Sequence, residues 1–201
     1  ETQGNNVIIT ANKDGSFNGV SVRVKDVNGA TYTSKGVNII VDSGAPEVHI
    51  TTPELHQWVK TSIKISGTAS DYSGIKSGEY SIDGGQNWQP MSISVTKGAI
   101  GGTFNATADI SSLEEGLVDV DVRVFDAAGY VCYAHTAVHK DTLPPDVKVI
   151  LPNDDAVVNG TNLMAFTVSD SGNFDKAYYI FPASGKNSGK RNELEAYGSV
   201  L

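Results

Sequence analysis

Val118, Val120, Val122 and Val124 alternate with Asp119, Asp121 and Arg123, and the same beat occurs about a hundred residues earlier at Val20, Val22 and Val24. A period of two places one set of side chains on each face of an extended chain, the signature of a strand buried on one side. The repetition goes further. "VSVRVKDVNGATY" (20–32) aligns with "VDVRVFDAAGYVCY" (120–133), "DSGAPEVHITTP" (42–53) with "DTLPPDVKVILP" (141–152), and "ISGTASDYSG" (65–74) with "AFTVSDSGNF" (165–174), always 99 or 100 residues apart. A repeat of that length is a whole domain rather than a short solenoid unit.

Composition agrees with strands. The chain has 21 Gly, only 2 Met, and many Thr, Ser, Val and Asp in clusters that punctuate short apolar runs. The predicted class is all-β, a tandem array of antiparallel β-sandwiches with one complete module flanked by two partial ones. In the complete module, strand A is predicted at 47–52, B at 62–70, C at 77–83, a further strand at 89–95, E at 103–110, F at 117–125 and G at 130–140. "SSLEEG" (111–116) is the one place for a helical turn. The division expected is 1–44 (strands E to G of a module), 45–141 (a complete sandwich) and 142–201 (strands A to C′ of the next).

The order "VDSGAPEV" (41–48), "SDYSG" (70–74), "YSIDGGQNW" (80–88), "EGLVDVDVRVFDAAG" (115–129), "VHKD" (138–141) resembles the bacterial Ig-like modules strung along large surface proteins and adhesins. Such modules also occur as accessory parts of secreted glycosidases. The resemblance covers 42–141 well and identifies a fold and a context, not an activity. It implies a bacterial protein, secreted or at the cell surface, that acts as stalk, spacer or adhesive module. Its partners would be neighbouring Ig-like modules and a host or cell-surface glycan or protein receptor. The alternative it leaves is an accessory carbohydrate-binding or spacer module of a secreted glycosidase. The opening "ETQGNN" shows no secretion signal, as expected of a piece of a longer mature protein. The two half modules are expected to be an excerpt of a longer array, or else to self-associate, the tail of one chain completing the head of another.

A net charge of −8 argues against a nucleic-acid partner, which requires a basic surface. No run approaches the ~20 apolar residues of a membrane span. Cys132 is the sole cysteine, so no intrachain disulfide forms, and inside a strand it reads as a small buried hydrophobe. Asn105 and Asn159 stand in N-x-T sequons, which matter only in a eukaryotic source.

Catalysis finds no constellation. "SIDGGQNW" (81–88) fits the Asp-box pattern of sialidases, but the chain is too short for a propeller, and its three arginines, Arg23, Arg123 and Arg191, cannot meet, because Arg23 and Arg123 occupy one position in successive modules. The box reads as a tight hairpin, with Asp83 accepting turn amides and Trp88 covering it. Glu114 and Glu115 are adjacent and point apart, unlike a glycosidase pair. His135 and His139 would stand roughly 13 Å apart on one strand, and His49 and His56 belong to no nucleophile pattern. The chain is predicted not to be an enzyme.

Aspartates recur where an Ig-like sandwich gathers its loops. Asp71 falls in the B–C loop, Asp126 in the F–G loop and Asp42 in the entering linker, so three carboxylates are expected to converge at one inter-domain junction. Asp141 and Asp170 repeat the set at the next junction, and Asp26 is the counterpart of Asp126 in the head. These five, Asp42, Asp71, Asp126, Asp141 and Asp170, are the candidate metal ligands, and Ca²⁺ is the candidate ion because it takes six to eight oxygens from flexible loops. The competing reading makes each Asp a cap of its own turn. Trp58, Tyr72, Tyr80 and Trp88 could offer a sugar-stacking surface, recognisable by two or more coplanar exposed rings on one sheet face.

Overall fold

Alternation of this kind yields strands throughout: the computed structural model describes residues 13–96, 99–159, 163–172, 176–180 and 191–193, and these hold seventeen strands and no helix. No helix long and apolar enough to cross a membrane is therefore present among them. The chain divides into two compact units, residues 1–140 and 141–201.

The first unit opens with β1 (Gly15–Val20), β2 (Arg23–Lys25), β3 (Thr31–Thr33) and β4 (Val37–Val41). β1 pairs with β4 and β2 with β3, both antiparallel. Among the described residues their apolar side chains have no opposing layer: Val22, Val24, Tyr32, Val37 and Ile40 are exposed. The strands E to G expected in this head fall partly on residues 1–12, which lie outside the described residues.

The complete sandwich follows with β5 (Glu47–Thr52), β6 (Gln57–Val59), β7 (Ser62–Ser70), β8 (Ile75–Ser81), β9 (Gln89–Pro90), β10 (Ser92–Val95), β11 (Gly101–Asp109), β12 (Gly116–Asp126) and β13 (Val131–Lys140). One sheet has the order β10-β11-β7-β5 and the other β6-β13-β12-β8-β9. The predicted strands A, B, E, F and G are present to within two residues at each end. β6 was not anticipated. It runs parallel to β13, with His139 opposite Trp58, and extends the second sheet by one strand. The helical turn expected at 111–116 is instead a single hydrogen-bonded turn, Leu113 N–H to the Ile110 carbonyl. Lys140 closes it: the buried ammonium donates to the Leu113 carbonyl at 2.6 Å and to Glu115 at 3.1 Å, which leaves no helical path through 111–116.

The core forms between the sheets from Ile63, Ile65, Phe104, Ala108 and the stripe Val118, Val120, Val122 and Val124. Each fully buried side chain of this size contributes roughly 1.5–3 kcal/mol relative to exposure. On β12 the buried phase runs Val118, Val120, Val122, Val124, Asp126, so the last member of an apolar stripe is a carboxylate.

The second unit begins with β14 (Asp146–Leu151) and β15 (Ala165–Ser169), an antiparallel pair, and ends with β16 (Tyr178–Ile180) paired to β17 (Arg191–Glu193). Local geometry recurs at the repeat spacing. Arg23, Val24 and Lys25 face Thr33, Tyr32 and Thr31, just as Arg123, Val124 and Phe125 face Tyr133, Cys132 and Val131.

Gly67 gives a stringent test of this packing. A Cβ there would lie 2.1 Å from the His49 carbonyl oxygen and 2.3 Å from the Phe104 ring, so the ring occupies the space a side chain would need. Gly67→Ala should destabilise the sandwich by about 1–3 kcal/mol, the cost of overpacking, and a chemical denaturation series reads this as a lower midpoint at unchanged slope. An unshifted midpoint would mean that Phe104 does not close over Gly67.

Candidate metal centre

Three turns build the acidic cluster. Asp42 follows β4, Asp71 follows β7 and Asp126 ends β12, so each stands where a strand gives way to a loop at the same end of the sandwich. One oxygen from each carboxylate lies within 4.8 Å of the other two. Opposite ligands of a calcium ion at ~2.3–2.6 Å stand about 5 Å apart, so such oxygens fit one coordination sphere. The loop after β7 is closed by Gly74 N–H to the Asp71 carbonyl at 3.1 Å and tied to the loop after β12 by Ala127 N–H to the Gly74 carbonyl at 2.9 Å. From the head strands, Ser16 Oγ meets the Tyr72 hydroxyl at 3.3 Å.

In each of the three aspartates the turn is capped through Oδ1. Asp126 Oδ1 accepts from Gly129 and Tyr130 N–H, Asp71 Oδ1 from the Ser73 amide and hydroxyl, and Asp42 Oδ1 from Gly44 N–H. Oδ2 of Asp42 and Oδ2 of Asp126 are buried and have no hydrogen-bond partner. Asp126 as a whole is 0% exposed. A buried carboxylate oxygen without a donor is costly unless something positive meets it. Asp42 is held below the ordinary carboxylate range, first by the nearby Ser73 hydroxyl and then by the Gly44 amide, against the opposing pull of desolvation. It is therefore anionic at neutral pH. None of the three aspartates forms an ion pair with Lys, Arg or His among the described residues.

The second expected set is less complete. Asp141 Oδ1 accepts from Leu143 N–H at 3.1 Å and Asp170 Oδ1 from Ser171 N–H at 3.0 Å, and no third acidic, His or Cys ligand joins them among the described residues. Asp26 repeats the turn of Asp126, its Oδ1 accepting from Asn28 and Ala30 N–H. Ser73, which orients Asp71 and lowers Asp42, was missed from sequence although it stands in the "SDYSG" motif.

Residues 46–127 match the profile of the bacterial Ig domain family. Over this stretch the chain is similar to a bacterial Ig domain. Asp71 and Asp126 lie inside it, and Asp42 precedes it in the linker. No curated protein sequence matches the chain. Among solved structures, the sulfane dehydrogenase SoxCD of Paracoccus pantotrophus is similar at 23% identity and TM-score 0.35, over 54% of this chain and 27% of that one. Dimeric latent PorU of Porphyromonas gingivalis gives 18% identity and TM-score 0.39, over 66% of this chain and 15% of its own. The fibronectin(III)-like modules of CbhA from Clostridium thermocellum give 20% identity and TM-score 0.39, over 75% of this chain and 80% of theirs. The chain thus spans about a quarter or less of the length of the first two. Bacterial Ig domains, which residues 46–127 resemble, are typically non-catalytic modules.

Within the Ig domain the Asp-box is fully occupied by its own hairpin. Asp83 Oδ1 accepts from the Ser81 hydroxyl at 2.7 Å and from Gln86 and Asn87 N–H, while Oδ2 accepts from the Asn87 side chain at 2.7 Å. Gly84 and Gly85 supply the positive φ values of 70° and 79° that the turn requires. Trp88 donates to the Gly85 carbonyl and lies under the Arg123 guanidinium at 4.1 Å, which also pairs with Glu79. Arg123 and Arg23 do not share a site, since Arg23 donates to Thr33 instead.

Two of the aromatic residues singled out from sequence, Trp58 and Trp88, have ring partners among the described residues. Trp88 meets Tyr133 edge to face, with planes 65° apart, and Trp58 lies against His139. His135 is held at 2.9 Å by Asp121, with Asp119 at 3.7 Å, and not by His139.

The Asp83 carboxyl is pushed down to about 2, chiefly by the Ser81 hydroxyl and then by Asn87. A depressed folded-state value means that its contribution is complete above the unfolded value of about 3.9 and is lost as pH falls towards 2. Asp83→Ala should therefore lower Tm at pH 7, and the gap to the unaltered protein should close between about pH 4 and pH 2. A gap that persists at pH 2 would show that the hairpin depends on Asp83 in some way other than as an anion.

Proposed function

We propose that this chain is a non-catalytic segment of an extracellular bacterial Ig-like array, a stalk or spacer presenting adhesive contacts at a cell surface, and that Ca²⁺ bound by Asp42, Asp71 and Asp126 stiffens its first junction. The observation that carries the calcium reading is the pair of buried, unpartnered oxygens, Asp42 Oδ2 and Asp126 Oδ2, within a cluster of three carboxylates. The ligands come from distinct segments. Asp42 belongs to the linker that follows the head strands, and Asp71 and Asp126 belong to loops of the Ig domain. An ion held by all three ties that linker to the domain and offsets the mutual repulsion of the anions. Backbone carbonyls and water complete the six to eight oxygens that calcium takes. The array setting draws on the Ig-domain match and on the repeated hairpin geometry of the head and the Ig domain. Its partners would be neighbouring Ig-like modules and a surface glycan or protein receptor.

A ligand that binds only the folded state raises its stability by RT ln(1 + [L]/Kd). Scanning calorimetry should give a Tm at least about 4 °C higher in millimolar calcium than in excess chelator, a threshold that corresponds to about 0.5–1 kcal/mol for a domain of this size. Asp126→Asn keeps Oδ1 for the turn amides and removes the charge. It should abolish the calcium shift and, in chelator, unfold no lower than the unaltered protein. An equal calcium shift in Asp126→Asn, or none in the parent, defeats the reading.

A further inference from the structure

At the opposite end of β12 from the acidic cluster, the parallel strand β6 brings together two histidines that are far apart in sequence. Val138, His139 and Lys140 face Gln57, Trp58 and Val59, and the His56 N–H donates to the Ala137 carbonyl at 2.7 Å. The imidazoles of His56 and His139 then lie 5.2 Å apart between centroids, with planes 31° apart. Trp58 stacks on His139 at 4.8 Å and 28°, which fixes that ring against the sheet. His56 is exposed and His139 half-buried, so both rings are reachable from solvent.

The backbone at His56 is unusual. Gln57 N–H bonds to the Glu54 carbonyl, closing a four-residue turn in which His56 is the third residue, at φ 62°. That position favours Gly or Asn, because a side chain there crowds the backbone. The corresponding turn of the second unit, closed by Ala156 N–H to the Asn153 carbonyl, has Asp155 at φ 57°, a residue that tolerates the left-handed region better. A ring held in a disfavoured backbone state next to a second ring points from an observed outlier towards function.

We infer that His56 and His139 form a bis-imidazole site for a borderline divalent transition-metal ion such as Zn²⁺ or Ni²⁺. Neutral imidazole nitrogen suits these ions and not the hard calcium ion proposed for the other end of β12. Two imidazoles bound to one tetrahedral ion at ~2.0–2.1 Å place their ring centroids about 5 Å apart, the separation seen here. Trp58 is a positioning residue, holding His139 in place, and solvent supplies the remaining ligands.

The test is a titration of the full chain, pre-saturated with Ca²⁺, with Ni²⁺ or Zn²⁺ alone, followed by calorimetry and by quenching of tryptophan fluorescence with Ni²⁺. One saturable site is expected. His56→Gly relieves the strained turn, so in the absence of transition metal it should melt at or above the Tm of the unaltered protein. It should nevertheless lose affinity by at least about the 10–100-fold that removing even an outer-shell partner produces. His139→Ala should lose it as well, and His135→Ala should not. Non-saturable uptake overturns the assignment. So does affinity that survives both His56→Gly and His139→Ala, or that disappears only with His135→Ala or Asp126→Asn.

Discussion

A carboxylate in the phase of the valines sets the terms for one end of this molecule. The stripe that fills the space between the sheets ends in Asp126, fully buried, one residue after the half-buried Phe125. A charged group cannot simply be left in a low-dielectric position. Its first oxygen is satisfied by the tight F–G turn, which β12 and β13 require in any case. The second oxygen is buried without a partner, and the neighbouring carboxylates of Asp71 and Asp42 cannot donate while ionised. Other features of this end follow from that arrangement: the Asx-turns that fix each carboxylate, the main-chain bonds between the B–C and F–G loops, and the Ser73 hydroxyl set between two acids. A cation there completes an arrangement whose parts are otherwise mutually repulsive.

Much of the fold could be read directly from the sequence, because alternation is a local property. Val118 to Val124 define both the extent of β12 and its buried face, and the turn signals around "DAAG" and "DGG" bound the neighbouring strands. Convergence of Asp42, Asp71 and Asp126 was legible for a related reason. Once the strands are ordered as a sandwich, alternate loops must gather at the same end. Which oxygen of each Asp stays free was not legible, since it depends on hydrogen-bond directions within a few ångströms. The "SSLEEG" segment misled because Glu and Leu favour helix, while the outcome was decided by Lys140, a residue 25 positions from Glu115 whose buried ammonium binds the turn. Parallel pairing of β6 with β13 was likewise hidden. "QWV" is three residues long, carries no alternation, and pairs with a strand some eighty residues later. The meeting of His56 with His139 depends entirely on that pairing, so neither residue had a visible partner.

The two ends of β12 therefore differ in chemistry as well as in position. About nine residues at ~3.3 Å each separate the level of Leu117, opposite His139, from Asp126. One end gathers carboxylate oxygens within 4.8 Å of one another, and the other a pair of imidazole rings backed by an indole. Ligand softness would keep the two ions apart without either site needing to be rigid. A module with a different metal at each end could be stiffened independently at its entry and near its exit.

Asp83 and Asp126 show how a structural aspartate can be told from a ligand. Asp126 ends β12 and Asp83 stands two residues beyond β8, and both accept turn amides. At Asp83 four donors cover the two oxygens: Ser81 Oγ, Gln86 N–H, Asn87 N–H and Asn87 Nδ2, so the carboxylate is saturated and the Asp-box has no vacancy for a substrate. At Asp126 two donors converge on a single oxygen, and the other is buried with none. The difference lies in a count of donors, not in the motif. "SIDGGQNW" resembles an active-site signature but is chemically closed. "DAAG" resembles an ordinary turn and leaves one oxygen open, so of these two motifs the acidic loop is the one for which a ligand is proposed.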